Sequence, residues 1–242
     1  MFHGLHVSPD LDTIMYALSG LTNKTTGWGI EGDTFKTLSA LERLGEETWF
    51  KLGDLDLATH IKRTSILNSG KSLSDATKEL VKSLGVLHDL IPMTDEPVRT
   101  IAITETEELE FQDYFVRQKC NPVIKKIRFD GISKAKPTKQ FIKTMSESEA
   151  IIICPSNPIV SIPPILELPG IKELINNFYS GDAFIITNVV DPVYVNELKN
   201  FVIKWGNNRE PEYQPMLEGA KDFHQYIKAN GASLKYNVNP VR

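Results

Sequence analysis

Cysteine is scarce in this chain: Cys120 and Cys154 are the only two, too few for a disulfide framework or a thiolate metal site. A reduced, cytoplasmic setting is expected. No apolar run approaches the roughly 18–20 residues that cross a bilayer, and no charged-then-apolar leader opens the sequence. Basic charge is also short, with 27 Lys and Arg against 31 Asp and Glu for a net charge of −4. That balance excludes a general nucleic-acid binder, which needs a basic surface to displace counterions from phosphates. A single nucleotide remains open, because a few local cations and backbone amides hold one without a trace in the total charge. Internal repeats and low-complexity tracts are absent too. What remains is an ordinary globular composition, 41% hydrophobic over 242 residues, enough for a substantial core in one large domain or a domain with an appendage.

Near the start, Ser8-Pro9-Asp10-Leu11-Asp12-Thr13 sets two carboxylates into the first turn of a predicted helix. Ser8 suits the N-cap and Pro9 the first helical position, and Leu11, Ile14, Met15, Leu18 and Leu21 recur at helical spacing. The acidic pair either stabilises the helix dipole or holds a divalent cation, since magnesium prefers carboxylate oxygens shared with substrate phosphates. Next comes the glycine-punctuated stretch Gly27-Trp28-Gly29-Ile30-Glu31-Gly32. It either approaches a ligand or makes a tight connection around a buried Trp28. Asp33 then caps an expected helix whose inner face is Phe35, Leu38, Leu41 and Leu44, ended by Gly45.

Two further helices are expected, from near Asp54 to Ser69 and from Leu73 to Leu84, packed as a hairpin, with Gly70 and Gly85 as terminators. The period then shortens. Val98 to Thr104 alternates, Glu105 to Glu108 is an acidic turn, and Leu109 to Phe111 pairs back as a second strand. Ile124 to Phe129 reads as another strand and Phe141 to Met145 as a helix. The apolar run Ala150 to Cys154 has the character of a central parallel strand reaching the carboxyl edge of a sheet, where ligands collect. It stops at Pro155-Ser156-Asn157-Pro158, a turn whose hydroxyl, amide and backbone N–H groups suit a phosphate or a base edge, or simply a rigid turn. Phe184 to Thr187 is a further strand candidate, and Asp191-Pro192 starts a helix ending at Gly206.

Asp10, Asp12, Lys51, Asp54, Asp56, His60, Arg63, Asp95, Arg99, Ser156 and Asn157 all fall at helix starts, strand ends or loops. Carboxylates with cations are the mixture that phosphoryl transfer requires, to place a metal ion and offset charge on the phosphoryl oxygens. Singly these signals are weak, and Asp56, His60 and Arg63 at spacings four and three also suit a surface ion ladder.

Together they resemble the 2-phospho-L-lactate transferase family of deazaflavin coenzyme biosynthesis. The matching strings are HVSPDLDT from His6, GWGIEGDTF from Gly27, KLGDLDLATHIKRT from Lys51, LIPMTDEPVRT from Leu90, FQDYFVRQKCNP from Phe111 and ICPSNPIVSIPPIL from Ile153. The resemblance implies an α/β fold, a Rossmann-like parallel sheet sandwich with a helical and β-hairpin insertion. It implies transfer of a phospholactyl or phosphoenolpyruvyl-type group from a guanosine-diphosphate-activated donor to the deazaflavin Fo, with GMP released and Mg2+ as cofactor. The deazaflavin-contacting pair of the family maps onto Asp12 and Lys51, with Trp28 a candidate for stacking on the ring. Asp10 and Asp12 become the catalytic and metal-holding carboxylates. Ser156 and Asn157 are expected to face the donor's guanosine or phosphates, with Arg63 and Arg99 as weaker anion contacts. A homodimer is what the resemblance implies for its assembly.

The resemblance covers residues 1–176, and 177–242 reads as a divergent tail. The glycine-rich strand, loop and helix with which the family begins, the cradle of the donor diphosphate, have no counterpart, so the chain is expected to keep the acceptor side and to be doubtful as a catalyst alone. The alternative is a non-catalytic nucleotide or sugar-nucleotide-binding regulator of the gluconeogenesis-factor type. The paired aspartates of SPDLDT argue against it.

Overall fold

A computed structural model describes residues 2–148, 151–153, 157, 159–178 and 184–185. The chain divides into two compact units, Met1–Lys143 and Thr144–Arg242. Helices and short strands alternate, a mixed α/β arrangement.

The first unit opens with helices α1 (Pro9–Leu18), α2 (Lys36–Arg43), α3 (Asp54–Asn68) and α4 (Leu73–Ser83). Their positions follow the expected periodicity, and α3 and α4 pack against each other as a hairpin. Ser72 caps α4 in a reciprocal box with Asp75, and Asp95 adds a carboxylate to the Ser74 amide at 2.7 Å. Gly70 and Gly85, at φ +86° and +70°, take the left-handed turn that ends each helix. Met15, Tyr16, Ile30, Leu80 and Val81 form one buried cluster, with Leu21, Leu84, Val86 and Leu90 packed on it.

A three-stranded antiparallel sheet follows, in the order β2-β1-β3, from β1 (Arg99–Ile103), β2 (Glu108–Glu110) and β3 (Lys126–Asp130). The expected hairpin is present in the register Ile101 to Glu110 and Ile103 to Glu108. On the other edge Arg99 pairs with Asp130 and Ile103 with Lys126. Ala102, Leu109 and Tyr114 make a second buried cluster, with Phe111, Ile124 and Ile127 against it. Tyr114 lies in a π-helical turn, Asp113–Arg117. Helix α5 (Lys139–Glu147) begins where Thr138 accepts the Phe141 amide at 3.1 Å and donates to the Pro92 carbonyl at 3.2 Å.

The second unit contains β4 (Ile152–Ile153), α6 (Pro163–Leu166), α7 (Ile171–Phe178) and β5 (Phe184–Ile185). β4 and β5 pair in parallel, Ile152 with Phe184 and Ile153 with Ile185. The apolar run around Ile152 is therefore a parallel strand among the described residues, and so is the start of the Phe184 segment. The helix expected from Asp191 lies outside the described residues.

Two expectations about helix faces change. On α1 the buried residues are Asp12, Met15 and Tyr16, while Ile14 and Leu18 are exposed, because the helix turns two polar side chains toward α3. On α2 only Leu38 is buried, and Phe35 and Leu44 face solvent. The core takes a narrower stripe from each short helix than the apolar spacing suggests.

Candidate functional site

The start of α3 is built by an exchange of caps. Asp33 accepts the amides of Leu55 at 2.8 Å and Asp56 at 3.1 Å, so it caps α3 rather than the helix that follows it in sequence. Asp54, in the first turn of α3, accepts the amides of Lys36 at 3.1 Å and Thr37 at 2.9 Å and the Thr34 hydroxyl, so it caps α2. The Thr34 hydroxyl and the helix amides hold the Asp54 carboxyl well below the usual carboxylate range. Gly53 carries no Cβ where one would overlap the Asp33 carboxylate. The exchange fixes the GWGIEGD loop and the KLGD segment against one another, and Lys51 stands exposed just before the α3 start.

Behind these caps α1 and α3 meet through ions. Asp12 is 4% exposed, and His60 and Arg63 are each 1% exposed. The Arg63 guanidinium takes Asp12 in a fork: Nη2 donates to Oδ1 and Nη1 to Oδ2 at 3.2 Å. Arg63 Nη1 also reaches the His6 carbonyl at 3.3 Å and His60 Nδ1 at 3.2 Å. Asp12 Oδ2 accepts the Ser8 amide at 3.3 Å, so the side chain of Asp12 does for the α1 start what the Ser8 hydroxyl does not. One helix turn along, the Tyr16 hydroxyl donates to Asp56 Oδ1 at 2.7 Å, and His60 Nε2 lies 3.2 Å from the same oxygen. His6 docks alongside, its amide donating to Thr64 Oγ1 at 2.8 Å.

Burial raises the Asp12 carboxyl, and the Arg63 charge and hydrogen bonds oppose it. Burial also works against ionisation of Asp56, but His60, the Tyr16 hydroxyl and Arg63 together hold that carboxyl below its ordinary range. The Tyr16 phenol is pushed up by burial and by the Asp56 charge beside it. His6 is pushed down by burial and by Arg63.

Asp56, His60 and Arg63 are thus a buried network rather than a ladder on the surface. The signal was in the stripe: Leu57, His60, Arg63 and Ile66, spaced by three, are the buried residues of α3. Tyr16, on the face of α1 that meets them, was not singled out in the sequence.

The remaining candidates scatter. Asp10 is exposed on the first turn of α1, where the surrounding chain desolvates its carboxyl enough to raise it. Trp28 is 52% exposed, which removes the reading of a loop wrapped around a buried indole. Its loop is held by Asn23 Oδ1 on the Thr25 amide at 2.9 Å and by the Thr26 hydroxyl on the Trp28 carbonyl at 2.7 Å. Arg99 is exposed and pairs with Glu110 at 3.5 Å. Asn157 is exposed, with Oδ1 accepting the amides of Ile159 at 2.8 Å and Val160 at 3.2 Å, a local turn. Ser156 lies outside the described residues. No cluster of three or more His, Cys, Asp or Glu suited to a metal occurs among the described residues. Nor is any described helix long and apolar enough to cross a membrane.

Comparison with known proteins gives this site its relatives. The family described as "2-phospho-L-lactate transferase CofD" matches residues 2–199. A 2-phospho-L-lactate transferase of Methanosarcina mazei is 40% identical over 169 residues, 70% of this chain and 56% of that protein. One from Methanocorpusculum labreanum is 41% identical over 182 residues, 74% of this chain and 60% of the relative. A phosphoenolpyruvate transferase of Streptomyces coelicolor is 41% identical over 177 residues, 71% of this chain and 56% of its own length. The chain spans a little over half the length of these curated relatives. A crystal structure of a UPF0052-family protein from Bacillus halodurans overlays with a TM-score of 0.48 at 19% identity, over 73% of this chain and 52% of that one, too loosely to assign the fold. The family match spans most of the chain, the α1–α3 network included, and the chain belongs to the 2-phospho-L-lactate transferase CofD family.

Proposed function

We propose that this chain carries the acceptor side of a transferase that moves a phospholactyl or phosphoenolpyruvyl-type group from a guanosine-diphosphate-activated donor to the deazaflavin Fo. The ribityl oxygen forms a bond to the phosphorus bearing the three-carbon acid, the bond from that phosphorus to GMP breaks, and the hydroxyl gives up its proton. Family membership supports the reaction class, and the relatives named as 2-phospho-L-lactate and phosphoenolpyruvate transferases bracket the donor. The observation that carries the reading is the fixed carboxylate of Asp12 in SPDLDT, held at the start of α1 by Arg63.

The roles follow from what each side chain has left to offer. Asp12 Oδ2 meets two N–H donors and Oδ1 one, so Oδ1 keeps a lone pair for a hydroxyl of the acceptor. That donor set does not suit a cation, which would compete with the guanidinium. Asp10, exposed two positions earlier in the same helical turn, is the carboxylate that would hold Mg2+, an ion usually bound through one or two carboxylates plus phosphates. Bound there, magnesium would offset charge on the donor phosphates. Lys51 supplies a cation to the deazaflavin, and exposed Trp28 a face on which its ring stacks. Arg99, exposed on β1, is assigned to the anionic groups of the donor.

The two polar pairs run in reverse order along the helices, Tyr16 with Asp56 and Asp12 with Arg63. Asp12 therefore sits toward the far end of α3 from Lys51. Arg63 stands nine positions along the helix from Asp54, about 13 Å of rise. One acceptor that touches both lies along α3, with its ribityl chain toward Asp12 and its ring toward Lys51. We also place β4 and β5 in a Rossmann-like parallel sheet, which their parallel register supports, and the protein in the cytoplasm.

Titration of Fo into the chain, followed by its intrinsic fluorescence, tests this reading. Asp12→Asn and Lys51→Ala are each expected to raise Kd about tenfold or more, the scale of a lost charge-assisted contact. Unchanged titrations in both variants overturn it.

A further inference from the structure

The α1–α3 network contains two groups to which neither the reaction class nor the relatives assign work, Arg63 and His60. Both are 1% exposed, the most enclosed side chains of the network. As a stabilising device the arrangement is a poor choice, because a buried ion pair is often replaced by apolar residues of similar volume without loss. It is also unfinished: neither Arg63 Nε nor His60 Nε2 has a hydrogen-bond partner among the described residues. What the arrangement does well is orient. A guanidinium fork fixes the plane of a carboxylate as a lysine cannot, since an ammonium is a point charge on a flexible stem.

We propose that Arg63 is a positioning residue for the acceptor and that His60 sets Arg63. The inference rests on the assignment of Asp12 to the acceptor site. Arg63 can only donate, so the ring nitrogen 3.2 Å from its Nη1, His60 Nδ1, is the acceptor, and the proton of the neutral ring is on Nε2. That nitrogen lies 3.2 Å from Asp56 Oδ1 without hydrogen-bond geometry, and the same oxygen takes the Tyr16 hydroxyl. The two N–H groups of Arg63 Nη1 are shared among Asp12 Oδ2, the His6 carbonyl and His60 Nδ1, and these three acceptors together hold it in place. The fork then holds both oxygens of Asp12 in one plane and leaves the spare lone pair of Oδ1 in a single direction. Specificity for a hydroxyl at that point comes from a chain of three side chains, His60, Arg63 and Asp12, of which only Asp12 meets the substrate.

The test compares Asp12→Asn, Arg63→Lys and the double variant by Fo fluorescence titration, with thermal unfolding measured on each. Arg63→Lys keeps the charge and loses the fork, and is expected to raise Kd about tenfold, as Asp12→Asn does, with no further rise in the double variant. A lowered Tm with unchanged Kd in Arg63→Lys assigns Arg63 to stability alone and overturns the inference. If Asp12→Asn leaves Kd unchanged, or the unaltered chain does not bind Fo, the functional reading fails and takes the inference with it. Should Arg63→Lys not fold, 15N spectra of histidine-labelled unaltered protein decide instead. The Nε2–H tautomer of His60, with both ring nitrogens shifting on addition of Fo, supports the proposal. The opposite tautomer, or resonances that ignore Fo, overturns it.

Discussion

Arg63 and its partners show how strongly a single buried residue is bound to its neighbours. Arg63→Met removes one half of the fork and leaves the Asp12 carboxylate buried without its counter-charge. Urea unfolding is expected to show a loss of about 3–5 kcal/mol, whereas replacing both partners together, Asp12→Leu with Arg63→Met, recovers much of it. A double variant no more stable than Arg63→Met contradicts this. Tyr16→Phe deletes only the hydroxyl that donates to Asp56, and is expected to cost about 1.5–3 kcal/mol because the acceptor is charged. At this scale the sequence was half legible. Asp12 stood out by its motif, but His60 and Arg63 looked like exposed ladder residues. Spacing alone does not say which face of α3 is covered, and burial is decided by α1, some forty residues away.

Among elements, the crossed caps are what place the glycine loop against the start of α3. Gly53→Ala puts a methyl where the Asp33 carboxylate lies. Asp33 must leave the Leu55 and Asp56 amides, at the cost of a lost helix cap, about 0.5–2 kcal/mol by urea unfolding. Stability unaltered by the substitution refutes that coupling. Asp54 gives a pH signature. Its carboxyl is depressed in the folded protein, so its contribution is complete above the ordinary carboxylate pKa of about 4 and fades as pH falls below it toward the folded value. Asp54→Asn is therefore expected to be less stable than the unaltered chain at neutral pH and to converge with it in acid. A stability gap that persists undiminished at pH 2 would argue against it. The helices and the hairpin were visible beforehand because amphipathic period and terminating glycines are local signals. That Asp33 caps α3 and Asp54 caps α2 was not visible, since a cap donated across a gap of some twenty residues leaves the same letters as a cap donated to the next helix.

For the whole molecule, the motif strings carried the family, and the match over residues 2–199 bears that out. The mixed α/β character and most of the element order up to β4 were readable from the change of period along the chain, whereas the π-helical turn, α6 and α7 were not read. The partners of the polar residues were not, because they depend on how α1 and α3 cross. These scales meet at one point, the spare lone pair of Asp12 at the α1–α3 crossing. A crystal structure of the chain with Fo bound tests it most directly. The predicted result is a ribityl hydroxyl within hydrogen-bond distance of Asp12 Oδ1, the fork from Arg63 intact and the ring toward Lys51. Fo bound away from α1, or an Asp12 that has left Arg63 to hold a metal ion, would contradict the account.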